Sequence, residues 1–188
     1  MPNNFQLVDL PGKGEFRVAT TDAQNNDSFL SARSPEWMIK IDNITTSEID
    51  GYTNYIELFG WQGESNCLSA TPVSGGPNLA SSTLRHTDLI LIIPFGGHSA
   101  QIETKMNRCE YLDSIVITHI GAVLNNKVPL QTLEFNNCRI QRCQQQLDRM
   151  IVHVMISVKT NTVFVYDQTG LCTGQMVSKT DYIKNTAE

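Results

Sequence analysis

Apolar residues recur at helical spacing in only one stretch of this 188-residue chain; the segments around it alternate or run apolar in the manner of strands. The helical stretch covers about residues 99–110. Ser99 stands as N-cap, Glu103 lies near the start, and Ala100, Ile102, Met106 and Cys109 form a modest apolar stripe among Gln, Lys, Asn and Arg. Parallel strands need a crossover, usually a helix, between them, so a single helix after the third strand points to antiparallel neighbours joined by short turns. The fold expected is mainly β: a two-sheet antiparallel barrel or sandwich of seven or eight strands with one flanking α-helix.

The strands differ in how many of their faces are apolar. Met38-Ile-Lys-Ile-Asp-Asn-Ile44 and Tyr55-Ile-Glu-Leu-Phe59 alternate on either side of the polar loop "TTSEIDGYTN". In the second of these, Ile56 and Leu58 are expected in the core and Tyr55, Glu57 and Phe59 on the other face. Gly60 then allows a kink that turns Trp61 towards the barrel's end or a neighbouring subunit. Leu89 to Ile93 is apolar without a break, which implies cover on both faces. Further strands are expected at Ser114–Ile120, Leu130–Gln141, Met150–Val158, Val163–Asp167 and Gln175–Ile183, separated by turns in "GAVLNNK", "KTNT" and "DQTGLCTG". In "RMIVHVMISVK", Val152, Val154, Ile156 and Val158 make one uniformly β-branched face. Ile151, His153, Met155 and Ser157 make a mixed one, which must meet something other than bulk core. Residues 62–83 are dense in Gly, Ser, Pro and Asn and read as a long mobile loop. Residues 1–36 hold only short apolar patches and read as an N-terminal arm or extension, leaving 37–188 as the β-barrel domain.

Composition narrows the chemistry. With 14 Lys and Arg against 19 Asp and Glu, a net charge of -5 and no basic stripe, the charge balance argues against a nucleic-acid partner. The longest apolar run is far too short to span a bilayer, and no basic-then-apolar leader opens the chain, so membrane insertion and a signal peptide are not expected. Five cysteines at irregular spacing suit reduced thiols in the cytoplasm. Cys138 and Cys143 lack the second pair a zinc site would need, and their odd offset puts them on opposite faces of a regular strand. No metal, cofactor or catalytic residue is assigned. A Cys–His nucleophile near His98 or His153, in a soluble β-barrel binding module or small hydrolase, is the alternative reading.

The order of elements carries a resemblance. Ile39, Lys40, Ile41 and Ile44 match a first strand of the type xIKIxxIxGE; Ile56, Glu57 and Trp61 match IExxxxxWG; Val165, Tyr166, Asp167 and Gly170 match a closing VxYxxxDxxG turn. In this order the chain resembles, as a divergent relative, the hemolysin-coregulated protein (Hcp) family, the tube subunit of type VI secretion systems, itself related to phage tail tube proteins. Thr45-Thr46-Ser47 stands where that family has glycine after its first strand, and Gln62 follows Trp61 where glycine is common. The resemblance implies a non-enzymatic subunit that forms a hexameric ring. Its rings stack into a tube that carries effectors, works with sheath and spike proteins, and is secreted from the cytoplasm without a signal peptide. The loop over 62–83 is then available for contacts between stacked rings.

Overall fold

The computed structural model describes residues 8–9, 15–16, 36–46, 48–49, 52–69, 82–124 and 126–187. Most of the expected arm over 1–36, and the middle of the expected loop over 62–83, lie outside the described residues. In chain order the strands are β1 (Val8–Asp9), β2 (Glu15–Phe16), β3 (Trp37–Ile41), β4 (Glu48–Ile49), β5 (Tyr52–Thr53), β6 (Ile56–Glu57), β7 (Gly60–Gln62), β8 (Ser65–Ser69) and β9 (Ser82–His86). They continue as β10 (Leu89–Pro94), β11 (Tyr111–Val123), β12 (Asn126–Gln146), β13 (Arg149–Met155), β14 (Val158–Tyr166), β15 (Cys172–Asp181) and β16 (Thr186–Ala187), with helix α1 (Gly97–Asn107) between β10 and β11. Among the described residues adjacent strands are antiparallel and α1 is the one helix.

The 21-residue strand β12 belongs to two sheets. Its first half lies between β11 and β14; its second half pairs with β13. Between the halves Asn137 has φ 53°, and the ladder to β13 shifts register between Ile140 and Arg142. Such irregularities bend a strand and sharpen its twist. One sheet runs β16-β15-β14-β12-β11-β3-β6, and the other runs β12-β13-β10-β7. On the far side β6 pairs with β3 while β7 pairs with β10. The two residues between them keep the connection: Leu58 N–H donates to Trp37 O at 3.0 Å and Phe59 N–H to Ile92 O at 2.9 Å. The segment Ile56–Gln62 therefore passes from sheet to sheet opposite β12, giving a two-sheet barrel.

Side-chain alternation fills the space between the sheets. Ile56 and Leu58 point inward with Ile39, Ile117, Phe135 and Leu91, as their spacing predicts. Val152, Val154 and Ile156 face the same core, so the β-branched face of β13 is the inner one. β10 is covered on both faces. Leu89, Leu91 and Ile93 join the main core, whereas Ile90 and Ile92 form a second cluster with Ile151 and the half-buried Phe59. Thr45 is buried and ties the end of β3. Its Oγ1 accepts from Ile41 N–H at 3.0 Å and donates to Asn54 O at 2.6 Å.

Three expectations need correction. The helix starts at Gly97 with Gly96 as N-cap; Ser99 sits three residues in, where its Oγ accepts from Gly96 N–H at 3.1 Å. Its buried face is Ser99 and Ile102 with Met106 half-buried, while Ala100 and Cys109 are exposed. "KTNT" is not a turn but part of the first half of β14, laddered on both sides to β12 and β15 and fixed by Gln131 Nε2 donating to Asn161 Oδ1 at 2.8 Å. The flanks of the expected loop over 62–83 are the paired strands β8 and β9.

The C-terminal turn docks on that hairpin. Tyr182 Oη and Ser65 Oγ are 2.7 Å apart, and Leu84 N–H donates to Asn185 Oδ1 at 2.6 Å. His86 packs edge-on against the Tyr182 ring, with centroids 5.2 Å apart. Its Nδ1–H donates to the Thr87 carbonyl, which leaves Nε2 as a bare lone pair, buried with no hydrogen-bond partner among the described residues. Burial lowers the His86 pKa and nearby Lys159 adds to this, while the Thr87 carbonyl and Asp88 oppose it.

Two outcomes follow from this packing. Phe135 is fully buried at the bend of β12. Phe135→Ala should cost about 3–5 kcal/mol in urea denaturation, and a loss below about 1 kcal/mol would contradict its place in the core. For His86 the folded pKa lies below the unfolded value of about 6.5, so the unfolded chain takes up the proton first. The stability His86 contributes is complete above that value and is lost as pH falls through the folded pKa. Between pH 7 and 5 the urea midpoint should fall less steeply in His86→Gln than in the wild type; identical slopes would refute the assignment.

Candidate assembly surface

Strands β14 and β15 extend the first sheet beyond the barrel. β15 pairs with β14 along its whole length, yet its first eight residues, Cys172–Lys179, are all exposed, so both faces of this part of the strand are open. Among the described residues its outer edge is laddered only at Thr180 and Asp181, by β16. Residues 172–178 carry no charge and no proline, the devices by which proteins usually blunt a sheet edge. On one face Val163 lies opposite Met176 and Val165 lies two residues along, and all three are exposed; Met176 retains 70% of its accessible surface. Apolar area on a well-paired strand is what a docking partner would cover.

Local hydrogen bonds hold this hairpin in shape. At its turn Asp167 Oδ1 accepts from Thr169 N–H, Thr169 Oγ1–H and Leu171 N–H, at 2.6 to 3.0 Å. These bonds pull the Asp167 carboxyl below its ordinary pKa, the side-chain bond from Thr169 most strongly. Gly170 then adopts φ 81°, a left-handed conformation that glycine takes readily. The turn of the closing motif thus sets the end of the exposed ladder. At its root, Tyr166 Oη donates to Pro129 O at 2.7 Å.

Trp61 lies opposite Leu91 in β7, half-buried against the main core. Its ring centroid is 5.9 Å from that of Trp37, whose indole stacks on the His119 imidazole at 4.3 Å with 10° between the planes. Glu57 is half-buried on the outward face of β6, and burial raises its pKa.

The residues considered for catalysis are not brought together. Cys138 and Cys143 both pack against the main core, contrary to the opposite faces expected for an odd offset. The register shift between Ile140 and Arg142 changes the alternation between them. Burial pushes the Cys138 thiol up to about 12 and the Cys143 thiol up to about 11, with Glu103 adding to the second. His153 lies opposite Ile90 and Arg142, while Cys143 lies opposite its neighbour Val152, so the two side chains leave β13 and β12 on opposite faces. His98, within the first turn of α1, donates from Nε2 to Pro94 O at 2.8 Å. The exposed apolar face of β14 and β15 was not recognisable from the sequence, because Val163 and Val165 alternate as core residues would.

No protein-family model matches the sequence, and no curated protein matches it. Solved structures do match in shape. A type six secretion system protein aligns with a TM-score of 0.70 at 15% identity, covering 82% of this chain and 100% of the other. Hcp1 from Salmonella typhimurium aligns with a TM-score of 0.63 at 17% identity, over 81% of this chain and 97% of its own. The secreted protein Hcp3 from Pseudomonas aeruginosa gives 0.52 at 14%, over 74% and 96%. The exposed β14–β15 ladder and the two-sheet barrel beneath it belong to a divergent chain with the Hcp fold.

Proposed function

We propose that the protein is a non-enzymatic subunit of a type VI secretion tube, in which copies close into a ring and rings stack into a tube. The observation that carries this reading is β15, a strand laddered to β14 on one edge whose first eight residues are exposed on both faces, with apolar side chains at Val163, Val165 and Met176. A strand of this kind on a soluble monomer is an aggregation hazard; a heterologous contact that closes into a ring consumes it in every copy. The fold likeness to Hcp proteins supports the same reading, and six copies per ring is the number the resemblance implies. On this basis the partners are further copies of the chain together with sheath, spike and effector proteins, and the tube is exported from the cytoplasm. Residues 1–36 are proposed as an arm appended to the barrel domain of 37–188.

Size-exclusion chromatography with negative-stain microscopy tests the ring, which should appear as closed annular particles. A monomer persisting across protein and salt concentrations would overturn the proposal. Met176→Asp changes an exposed side chain and should leave stability within about 0.5 kcal/mol of wild type while abolishing the rings. Intact rings in that variant would remove β15 from the interface.

Thiol reactivity separates this reading from a Cys–His hydrolase. At pH 7 the exposed Cys109 and Cys172 should label readily, while Cys138 and Cys143 stay unmodified until the chain unfolds, as followed by peptide mass spectrometry. Fast labelling of Cys143 in the folded protein would favour the nucleophile.

A further inference from the structure

The contacts that fasten the C-terminal turn to the β8–β9 hairpin surround a group that cannot take up a proton in place. His86 lies directly opposite Ser65 in the hairpin, so the two side chains share the face that meets Tyr182. The imidazole sits close against the chain leaving β7: a Cβ at Gly63 would stand 3.0 Å from His86 Cε1 and 3.3 Å from both Nε2 and Leu89 Cδ1. The space beside Nε2 is therefore walled by the Gly63 backbone and an apolar side chain. With Nδ1–H committed to the Thr87 carbonyl, a second proton would go on Nε2, where no described residue offers an acceptor.

The charges around the ring do not relieve this. Lys159, half-buried on β14, repels an imidazolium, Asp88 on the link to β10 attracts one, and burial acts more strongly than either. From the C-terminal turn comes Tyr182, whose burial raises its own pKa and keeps the hydroxyl neutral. Asp181 is engaged within that turn, accepting from Ile183 N–H at 3.0 Å and Lys184 N–H at 2.9 Å, with Lys184 Nζ at 3.6 Å. Glu64 and Arg85, next along the chain from Ser65 and His86, are exposed. The bonds made by Asp181 also let the turn keep its shape without the hairpin. What joins the two is the Tyr182–Ser65 bond, the Leu84–Asn185 bond and the His86–Tyr182 ring contact.

We propose that His86 is the catch of an acid-sensitive clasp: a proton on its Nε2 releases the C-terminal turn, with Tyr182 and Asn185, from the β8–β9 hairpin while the barrel core stays folded. β16 lies beyond this turn and ladders Thr180 and Asp181, so opening also extends the open edge of β15. The clasp does not depend on the ring reading, since all its contacts lie within one chain. The closed form binds the proton more weakly than the open one, whose pKa is about 6.5, so opening grows as pH falls through that value, by at most about tenfold per pH unit for one proton.

Hydrogen exchange of the full chain, read by mass spectrometry and corrected for the intrinsic pH dependence of amide exchange, tests the clasp. Between about pH 7.5 and about pH 5.5, peptides spanning 82–88 and 180–187 should lose protection together, by up to about tenfold, while peptides from β10 and β11 keep theirs. His86→Gln takes up no proton and should show the same protection of those peptides at both pH values. Lys159→Met removes the repelling charge, so the closed form accepts the proton more readily and the pH effect should shrink; it tests the same link if the His86 variant does not fold. Wild-type peptides that keep their protection, a core that loses protection to the same extent, or an undiminished pH effect in either variant overturns the proposal.

Discussion

The fold depends on β12 serving two sheets at once. A strand of 21 residues cannot remain flat, because twist accumulates along it and its two halves must face different neighbours. The left-handed turn of backbone at Asn137 and the register shift near Gln141 put the bend between the halves. The strain is shared with partners that are fixed elsewhere: Ser157 Oγ–H donates to Asn137 O at 3.0 Å, and Cys138 and Phe135 fill the inside of the corner. With that bend in place, β11 and β3 follow on one side and β13 and β10 on the other. The passage from β6 to β7 then brings the two sheets together again. Phe59 and Leu58 show how this second crossing is tolerated, since each keeps a backbone hydrogen bond, one to each sheet.

Much of this was legible where side chains alternate without interruption. The inward Ile56 and Leu58, the β-branched inner face of β13 and the double cover of β10 all follow from period-two spacing and unbroken apolar character. The misses share one cause, which is that backbone irregularity leaves no trace in composition. A bulge near Gln141 put Cys143 on the core side, although counting from Cys138 put it outside. Lys159 to Thr162 look like a turn because Lys, Thr and Asn are turn formers, yet neighbours on both sides hold them as strand. Ser65–Ser69 and Ser82–His86 are strands for the same reason, since their pairing partners supply what propensity lacks. The apolar patch at Val163, Val165 and Met176 was hidden by its resemblance to core alternation.

Surface composition and exposed strand are connected. Only 18% of residues are charged, so β14 and β15 meet solvent through Thr, Asn, Gln and Ser with apolar residues between them. Neutral polar side chains cost less to desolvate than ions, and a surface made of them is easier to bury against a second copy. The same choice leaves residues 172–178 of β15 without the lysines and prolines that would otherwise protect its edge. A monomer tolerates that arrangement poorly; an assembly benefits from it twice, through edge pairing and through a contact face with little charge to strip of water.

Two hairpin tips, at Leu124 and Leu147, run against the usual choice of turn residue. Turns normally settle into residues that lower their own energy, and four of the seven left-handed positions are indeed asparagine. Leu124 and Leu147 instead raise the energy of the isolated chain twice over, through backbone conformation and through exposed apolar area. An unfavourable residue at one tip would be unremarkable among natural sequences. Leu124 and Leu147 place that cost at both ends of the strand that organises the barrel. The bend that lets β12 join two sheets also separates those two turns, one at each end of the strand.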